Sequence, residues 1–440
     1  PVVALKTGSS EIGSALTVSH TGSLSGATEL YEALFARTGV ISVTNPSQFL
    51  ETLKYLCVVG APKGARVAGF TCSGGGATML ADYAEKIGLV FPPVDPADES
   101  ALKALLPKIA TMSNPLDYTT PIWGQGDLTY PVFAKAMAAV DADAAVLVQD
   151  YPAAGLDASK GYYQQDAEAF GRAAKEQSLP AAICATLPEN MDLETRQFLI
   201  AEGLAPMQGI HETLNAISQA ATWAQTRARI SLRMPAPLLP AGQVGALEML
   251  TEDKGKDWLA KQGVAVPQGR VATAEQLGDI AREIGFPVAL KMMSPLLAHK
   301  TEAGAVALNL NDDAEVSKAA VQMRADVTAH KPAAVLDRFL IETMSPLPLA
   351  ELIVTLRSDP QFGAALVLGS GGALVELVGD AVTLLLPSTA DDIEKALQSL
   401  RVARLLGGFR GRPKAELSKI AAEIHTLCWA YLQDWATIAE

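Results

Sequence analysis

RVAGFTCSGGGATMLADYAEKIGLVF, residues 66–91, is the stretch that decides the fold class of this 440-residue chain. Residues 66–73 have the pattern of a buried strand, three glycines follow, and residues 77–87 have the apolar spacing of a helix. Residues 89–91 predict a further short strand. A strand, a glycine turn and a helix in this order are typical of an α/β fold.

The same alternation continues on both sides of this stretch. Further predicted strands lie at residues 2–5, 39–43, 144–150 and 180–186, and further predicted helices at residues 28–37, 48–58, 99–106 and 130–140. Strands that are joined through helices run parallel, with helices on both faces of the sheet. The first half of the chain is therefore predicted to be an α/β parallel sheet.

A change of character follows a proline-rich stretch at residues 229–243, which predicts a linker. Beyond it the sequence predicts a helix, a strand, a second helix and a strand that carries Lys291. Two strands are then predicted on either side of a turn at residues 312–315, followed by a helix and by long strands around glycine turns. These later strands have the pattern of antiparallel sheets.

Composition excludes several classes of function. A net charge of −13 without a basic stripe argues against a nucleic-acid partner. No apolar run approaches the roughly 20 residues that span a bilayer, so no membrane partner is expected. The 4 cysteines are scattered without metal-site or disulfide spacing, which indicates reduced thiols in the cytoplasm. The length predicts two or three domains.

A candidate phosphate or acyl site lies at the glycine turn. Ser73, Gly74 and Gly75 come between a strand and a helix, where backbone N–H groups without Cβ crowding can bind an anion. A plain strand-to-helix turn explains these glycines equally well. Asn114 lies in a second polar loop, SNPLD, and the loops at the carboxyl ends of parallel strands meet in one crevice.

Two histidines lie in polar loops. His20, in VSHTGSLSG, is either a catalytic group or a polar residue of a surface turn. His299, in SPLLAHKTEAGAVAL, is compatible with an ordinary surface turn when it is considered in isolation. Lys291 ends the apolar run FPVALK, and a lysine there requires an anionic partner. A strand lysine followed by a loop with a histidine and a glycine suits phosphate handling.

The later strands offer candidates for nucleotide binding. Glu342, Thr343 and Met344 end one strand, whose backbone can hydrogen-bond a purine edge, and Glu351 could take a ribose hydroxyl. The alternative for Glu351 is an edge-strand carboxylate. Further candidates come from the stretch at 358–380, namely Asp359, Gly369, Gly371, Gly372, Glu376 and Asp380. These glycines are also compatible with hairpin turns.

Taken together, the segments resemble the NDP-forming acyl-CoA synthetases, which are related to succinyl-CoA synthetase. The resemblance runs in the family's order through KTGSSEIGSALTVSHTGSLSG, GFTCSGGGATMLAD, SNPLD, FPVALKMMSPLLAHKTEAGAVAL, SDPQFGAALVLGSGGALVELVGD and LLGGFRGRP. It implies a flavodoxin-like CoA-ligase domain that ends near residue 60, a second such domain at 61–228, a linker at 229–244 and an ATP-grasp domain at 245–440.

The resemblance also implies a reaction: carboxylate, ATP and CoA give acyl-CoA, ADP and phosphate, through an acyl phosphate and a phosphohistidine. His20 then matches the phosphohistidine and His299 a second, relaying histidine. Lys291 matches the lysine that grips nucleotide phosphates. The helix at Gly74 would steady the phosphohistidine by its dipole. The implied cofactors are ATP or ADP, Mg²⁺ and coenzyme A.

The resemblance has gaps at both ends. The family's CoA-binding domain would precede Pro1, and its Mg²⁺ ligands would follow Glu440, which leaves Glu376 and Asp380 as the weaker metal candidates. We expect a fragment of a longer polypeptide, or partner chains that supply the rest, so the chain by itself should not turn over. A homo-oligomer such as a dimer, or an assembly with the missing domains, is expected.

Two alternatives stay open. The chain could be a ligand-sensing, regulatory ligase-like module of an acetyltransferase fusion, or a ligase-type enzyme whose net reaction on its acyl-CoA product is that of a lyase. Retention of His20, His299 and Lys291 favours catalysis. The sequence leaves the carboxylic acid and the choice of ATP or GTP open, although Tyr118 and Trp123 could admit an acid larger than acetate.

Overall fold

A computed structural model of the chain describes residues 1–10, 12, 27–153, 155, 158–239, 250–297, 300–372 and 379–434. The chain divides into two compact units, Pro1–Pro235 and Ala236–Glu440. Within the described residues, no helix is long and apolar enough to cross a membrane.

The first unit alternates strands with helices. Its strands are β1 (Val2–Leu5), β2 (Val40–Val43), β3 (Val67–Thr71), β4 (Leu116–Asp117), β5 (Ala144–Val148), β6 (Ala181–Ala185) and β7 (Ala205–Gln208). Its helices are α1 (Thr28–Thr38), α2 (Pro46–Val58), α3 (Gly74–Ile87), α4 (Glu99–Leu105), α5 (Gly126–Ala139), α6 (Lys160–Glu176), α7 (Leu193–Ala201) and α8 (Ile210–Leu232). Helix α8 continues into the first residues of the stretch that was predicted as a linker.

The parallel α/β sheet predicted for this half is confirmed. In the described part of the unit, five parallel strands lie in the order β4-β3-β5-β6-β7, and β1 and β2 form a separate parallel pair. The strand predicted at residues 89–91 is wrong, because this segment makes only one isolated bridge, between Arg66 and Val90. All residues of β3, β5 and β6 are buried, which requires cover on both faces.

Helices supply this cover on both faces. On one face Phe70 of β3 packs edge-on against Phe133 of α5 and Phe170 of α6, with ring centroids 5.3 and 5.8 Å away. On the other face Tyr55 of α2 and Ile217 of α8 are fully buried. The two apolar layers hold the carboxyl ends of the strands in fixed positions, where the first candidate site lies.

The second unit contains antiparallel sheets. Its strands are β8 (Gly269–Ala272), β9 (Val288–Met292), β10 (Val306–Leu310), β11 (Phe339–Thr343), β12 (Leu352–Asp359), β13 (Gly363–Ser370) and β14 (Ala381–Leu385). Its helices are α9 (Glu252–Lys261), α10 (Leu277–Ile284), α11 (Asp313–His330), α12 (Ala390–Ser399), α13 (Ala403–Leu406) and α14 (Leu417–Asp434).

Its described strands form a four-stranded sheet, β10-β9-β11-β8, and a three-stranded sheet, β12-β13-β14, and all their pairings are antiparallel, as predicted. Helices α10 and α11 cover the first sheet, and α12 and α14 cover the second. The turn predicted at residues 312–315 is wrong, because Asp312 instead caps α11 by accepting a hydrogen bond from the Glu315 N–H at 2.8 Å.

Candidate functional site

The first candidate site lies at the carboxyl edge of the parallel sheet. Strand β3 has β4 on one side and β5 on the other, so the strand order reverses between β3 and β5. In open α/β sheets a crevice forms at this reversal, and ligands bind there. Ser73, Gly74 and Gly75 follow β3 and are exposed, and Asp150 follows β5.

The glycine turn is the first turn of α3 itself. The helix begins at Gly74, three residues earlier than predicted, with Ser73 as an extended N-cap residue that makes no side-chain capping bond. The first backbone N–H groups of a helix have no intrahelical acceptor, so those of Gly74 and Gly75 are positioned for an anion. The predicted anion site therefore coincides with a true helix start.

The three glycines have different structural requirements. A Cβ on Gly76 would lie 2.6 Å from Oγ1 of Thr71, so packing demands glycine there. A Cβ on Gly75 would meet nothing closer than Oγ of Ser73 at 3.7 Å, and one on Gly74 nothing closer than Oδ2 of Asp117 at 3.6 Å. Internal packing explains Gly76 but leaves the glycines at 74 and 75 free for another purpose.

Asn114, which was predicted for the phosphate or acyl site, makes hydrogen bonds to backbone groups. Its side-chain N–H groups donate to the carbonyls of Val67 and Pro92, both at 2.9 Å, and its carbonyl accepts from the Gly69 N–H at 2.9 Å. Because its hydrogen-bonding groups are engaged by backbone, Asn114 fixes the start of β4 beside β3. We do not include it in the candidate site.

Tyr118 also differs from expectation. It is fully buried, and its hydroxyl donates to Oδ2 of Asp166 at 2.9 Å, so it does not line an open crevice. The buried Asp166 carboxylate also accepts from Thr129 Oγ1 at 2.9 Å and from the Gly124 N–H at 3.0 Å. Burial raises the pKa of Asp166, and these three hydrogen bonds oppose the rise. Trp123 is half-buried against Tyr163, with ring centroids 4.8 Å apart.

Asp150 is a residue of this edge that sequence reasoning missed. Its Oδ1 accepts from the N–H and the hydroxyl of Thr186, at 2.8 and 2.7 Å, and from Asn190 at 3.0 Å. The carboxylate thus joins the loops that follow β5 and β6. A polar residue directly after a buried strand was the signal that could have identified it.

The second candidate site is in the other unit, around Lys291 of β9. Its Nζ lies 2.6 Å from Oε1 of Glu252 and 2.6 Å from Oε1 of Glu342. The prediction that this lysine needs an anionic partner is confirmed, and the partners within the described residues are two carboxylates of the chain itself. Their hydrogen bonds and charges raise the pKa of Lys291 although burial acts to lower it.

Two further lysines complete a lysine–glutamate cluster, which consists of Glu252, Lys256, Lys291, Lys300 and Glu342. Lys256 Nζ lies 2.9 Å from Oε1 of Glu252 and 2.5 Å from Oε2 of Glu342, and Lys300 Nζ lies 3.2 Å from Oε2 of Glu252. Burial acts to raise the pKa of Glu252, but Lys291 and Lys256 lower it to about 2. The i, i+4 spacing of Glu252 and Lys256 was the readable signal for their pairing.

The strand end beside this cluster is already hydrogen-bonded. The Thr343 N–H donates to the Gln268 carbonyl at 2.9 Å, and the Met344 N–H donates to the Pro287 carbonyl at 3.2 Å. The reason is that β11 lies between β9 and β8 in the sheet. A purine that hydrogen-bonds an N–H group here would have to displace one of these bonds, of which the one from Met344 is longer.

The remaining nucleotide candidates lie at the ends of β12 and β13. The Gly371 N–H donates to the Glu351 carbonyl at 2.7 Å, and a Cβ on Gly371 would lie 2.9 Å from the Glu351 carbonyl carbon. This close approach requires glycine. Gly372 has a φ of 92°, and the Glu351 side chain is exposed. The structure therefore explains both glycines by backbone geometry.

The predicted metal residues do not form a metal site in the described part of the chain. Oδ2 of Asp380 accepts from the Ser370 hydroxyl and from the backbone N–H groups of Arg401 at 2.8 Å and Val402 at 3.4 Å. These bonds lower the pKa of Asp380 against the effect of burial and give it a structural role. Glu376 lies outside the described residues, among which no group of three or more His, Cys, Asp or Glu side chains could hold a metal.

Both candidate catalytic histidines, His20 and His299, lie outside the described residues. The residues brought together are therefore Ser73, Gly74 and Gly75 in the first unit and the lysine–glutamate cluster in the second. Each of the two arrangements presents groups that suit an anion: helix N–H groups in one and ammonium groups in the other.

Known proteins match both units. The ATP-grasp domain family matches residues 244–440, and the succinyl-CoA ligase like flavodoxin domain matches residues 1–56. The ADP-forming acetate–CoA ligase I of Archaeoglobus fulgidus is 28% identical over 436 residues, which are 96% of this chain and 60% of that protein. A trans-feruloyl-CoA synthase from an unknown prokaryotic organism is 27% identical over 429 residues, 96% of this chain and 59% of that protein.

The alignment with a third relative covers a larger share of that relative's length. The β subunit of the ADP-forming acetate–CoA ligase I of Pyrococcus furiosus is 34% identical over 173 residues, which are 39% of this chain and 74% of that subunit. By contrast, the chain spans only 60% of the Archaeoglobus protein's length.

Proposed function

Because the chain belongs to the ADP-forming acyl-CoA synthetase family, we propose that it carries the phosphoryl-transfer part of an acid–thiol ligase. In the proposed reaction a carboxylate, ATP and CoA give acyl-CoA, ADP and phosphate. ATP or ADP, CoA and a carboxylic acid are then its small-molecule partners.

The observation that carries the proposal is the position of Lys291. It lies one residue before the end of the largely buried strand β9, inside the ATP-grasp match. Its side chain is only 18% exposed and lies among groups that keep it charged. Phosphoryl transfer depends mainly on positioning and charge neutralisation, which a fixed, charged lysine supplies. The N–H groups of Gly74 and Gly75, at the start of α3, would hold a transferred phosphoryl group at the first candidate site.

The proposed transfer runs through the two histidines. A neutral imidazole nitrogen of His299 attacks the γ-phosphorus of ATP, the bond from that phosphorus to the bridging oxygen breaks, and ADP leaves. The group then passes in the same way to His20. A carboxylate oxygen attacks the phosphorus, the P–N bond breaks, and acyl phosphate and free imidazole result. The CoA thiolate attacks the acyl carbon, the C–O bond to phosphate breaks, and phosphate leaves.

We further propose the domain limits that the resemblance implies: 1–60 and 61–228 for two flavodoxin-like domains and 245–440 for the ATP-grasp domain, joined by a linker at 229–244. A second copy of the chain, or chains that carry the family's other domains, would complete the enzyme. The described residues supply no ligand set for Mg²⁺, so we assign no step to it.

Similarity to known proteins does not identify the carboxylic acid that this chain's enzyme uses. Relatives named for acetate and for ferulate match this chain at 28% and 27% identity over the same 96% of its length. The carboxylic acid substrate therefore has to be identified by activity assays. Acetate, longer aliphatic acids and hydroxycinnamic acids are the acids to compare.

The test is phosphorylation of the full-length protein by γ-labelled ATP with Mg²⁺. We expect acid-labile, base-stable label in the wild type and in the control His330→Ala, whose exposed side chain lies at the end of α11. We expect none in His299→Ala, which cannot take the group from ATP, whereas in His20→Ala the label should stay on His299 and not reach the carboxylate. Formation of acyl phosphate by His20→Ala at the wild-type rate would refute the carrier role of His20. If no acid supports CoA-dependent ADP release while nucleotide still binds, the ligand-sensing alternative is favoured.

A further inference from the structure

The lysine–glutamate cluster holds three lysines and two glutamates, a net charge of +1. Glu252 is its centre, because all three ammonium groups lie within 3.2 Å of its carboxylate oxygens. Three lysines around one carboxylate form an arrangement that a phosphate group also satisfies, since both anions present several acceptor oxygens.

The two carboxylates differ in how firmly they are held. Glu342 is on β11, which is paired on both sides, and its side chain is 5% exposed. Glu252 is the first residue of α9, and its side chain is 23% exposed. None of the residues of α9 is buried. Glu342 is therefore a fixed part of the sheet, whereas Glu252 can withdraw without opening an apolar core.

Charge decides what happens when a polyphosphate approaches Lys291. A nucleotide polyphosphate carries several negative charges, and like charges a few ångströms apart in a half-buried site repel each other more strongly than they do in bulk water. The three ammonium groups cannot bind both the polyphosphate and Glu252. The more weakly held of the two carboxylates has to leave.

We infer that Lys256 and Lys300 join Lys291 in binding the polyphosphate of a nucleotide, and that Glu252 occupies this three-lysine site until the polyphosphate displaces it. Glu342 stays in place and positions Lys256 and Lys291. The identity of the anion as a nucleotide rests on the proposed function. The three-lysine site itself rests on the contacts above.

The test compares binding of MgATP and of inorganic tripolyphosphate to the 440-residue chain by titration calorimetry. Lys256→Met and Lys300→Met should each weaken both ligands about tenfold, the usual effect of losing a charged hydrogen bond. The matched control is Lys254→Met, since Lys254 is exposed on the same helix. Lys256→Arg keeps the charge and should bind within a few-fold of the wild type, which separates loss of charge from misfolding.

The substitution Glu252→Gln should change the affinity for both ligands in the opposite direction. Removal of the competing charge should tighten both ligands about tenfold, whereas the control Asp257→Asn, exposed on the same helix, should leave binding unchanged. Equal or weaker binding by Glu252→Gln, or Lys256→Met binding as tightly as Lys254→Met, would overturn the inference.

The two ligands separate this inference from the proposed function. Lysine-dependent binding of tripolyphosphate without binding of MgATP supports the three-lysine site and refutes the proposed function. Binding of MgATP that is insensitive to Lys256 and Lys300 refutes the three-lysine site and leaves the proposed function intact. If neither ligand binds the wild type, both are refuted.

Discussion

The Nζ atom of Lys291 and the Oε1 atom of Glu342 lie 2.6 Å apart on neighbouring antiparallel strands. Lys291 pairs with Leu340 in the register, so Glu342 is its diagonal neighbour on the same face of the sheet. Strand register brings the two side chains together, and Glu342 is only 5% exposed, so loss of either charge would leave its partner poorly solvated and with one opposite charge fewer.

Removal of one member of this pair should be costly. Glu342→Ala leaves Lys291 and Lys256 with one carboxylate fewer, and we expect the free energy of unfolding to fall by about 3 kcal/mol. Urea denaturation measures the change, with Glu275→Ala, at an exposed position, as control. The double variant Glu342→Ala/Lys291→Met should lose less than the sum of the two single variants. Strict additivity would show that the two residues do not interact.

The acid dependence of stability should report on Glu252. Its pKa is lowered to about 2 in the folded chain from an ordinary value of 4.5. A lowered carboxyl pKa contributes stability above the ordinary value, and this contribution is lost as the pH falls towards the folded value. The difference in unfolding free energy between wild type and Glu252→Gln should therefore shrink from about pH 5 towards pH 2. A difference that is constant over this range would contradict the assignment.

Asp166 should have the opposite pH dependence. Burial raises its pKa above the ordinary 3.8, so the folded chain binds this proton more tightly than the unfolded chain does. The wild type should then lose stability relative to Asp166→Asn as the pH rises above 3.8. Thermal unfolding at a series of pH values measures this difference. Parallel curves for the two proteins would show that Asp166 does not titrate differently on folding.

The glycines at the start of α3 provide a matched pair. Gly76→Ala places a Cβ 2.6 Å from Thr71 Oγ1 and should destabilise the fold by about 1–3 kcal/mol. Gly75→Ala has room and a better helix former, so its stability should equal or exceed that of the wild type by up to about 1 kcal/mol. Loss of phosphoryl transfer in a stable Gly75→Ala protein would locate an anion there, and full transfer would argue against it.

Periodicity predicted much of the fold, because alternating buried strands and helices leave few topologies open. The error at residues 89–91 has a physical reason: an apolar run of three residues is too short to distinguish a strand from a single bridge. The turn at residues 312–315 was predicted wrongly because aspartate is favoured in turns and also at helix N-caps, and Asp312 is an N-cap residue.

The candidate site was less accessible to sequence reasoning. That Lys291 needs an anion follows from its place in an apolar strand, but the identity of that anion depends on strand register and on where α9 lies. Asn114 and Asp380 were predicted as ligand-binding residues because a polar loop residue that binds backbone looks the same in sequence as one that binds a ligand. Their hydrogen bonds to backbone groups distinguish the two only in three dimensions.

Helix α9 has no buried residue, and its contacts with the neighbouring strands include the ion pairs of Glu252, of Lys256 and of Asp253 with Arg338. Detachment of such a helix uncovers charged groups that water solvates and the half-buried side chains of Trp258 and Leu259, but no fully buried side chain of its own. Its local opening therefore costs far less than global unfolding, and added salt lowers that cost further by screening the attraction. The attachment of α9 should therefore depend more on the ionic strength of the solution than on packing in the hydrophobic core.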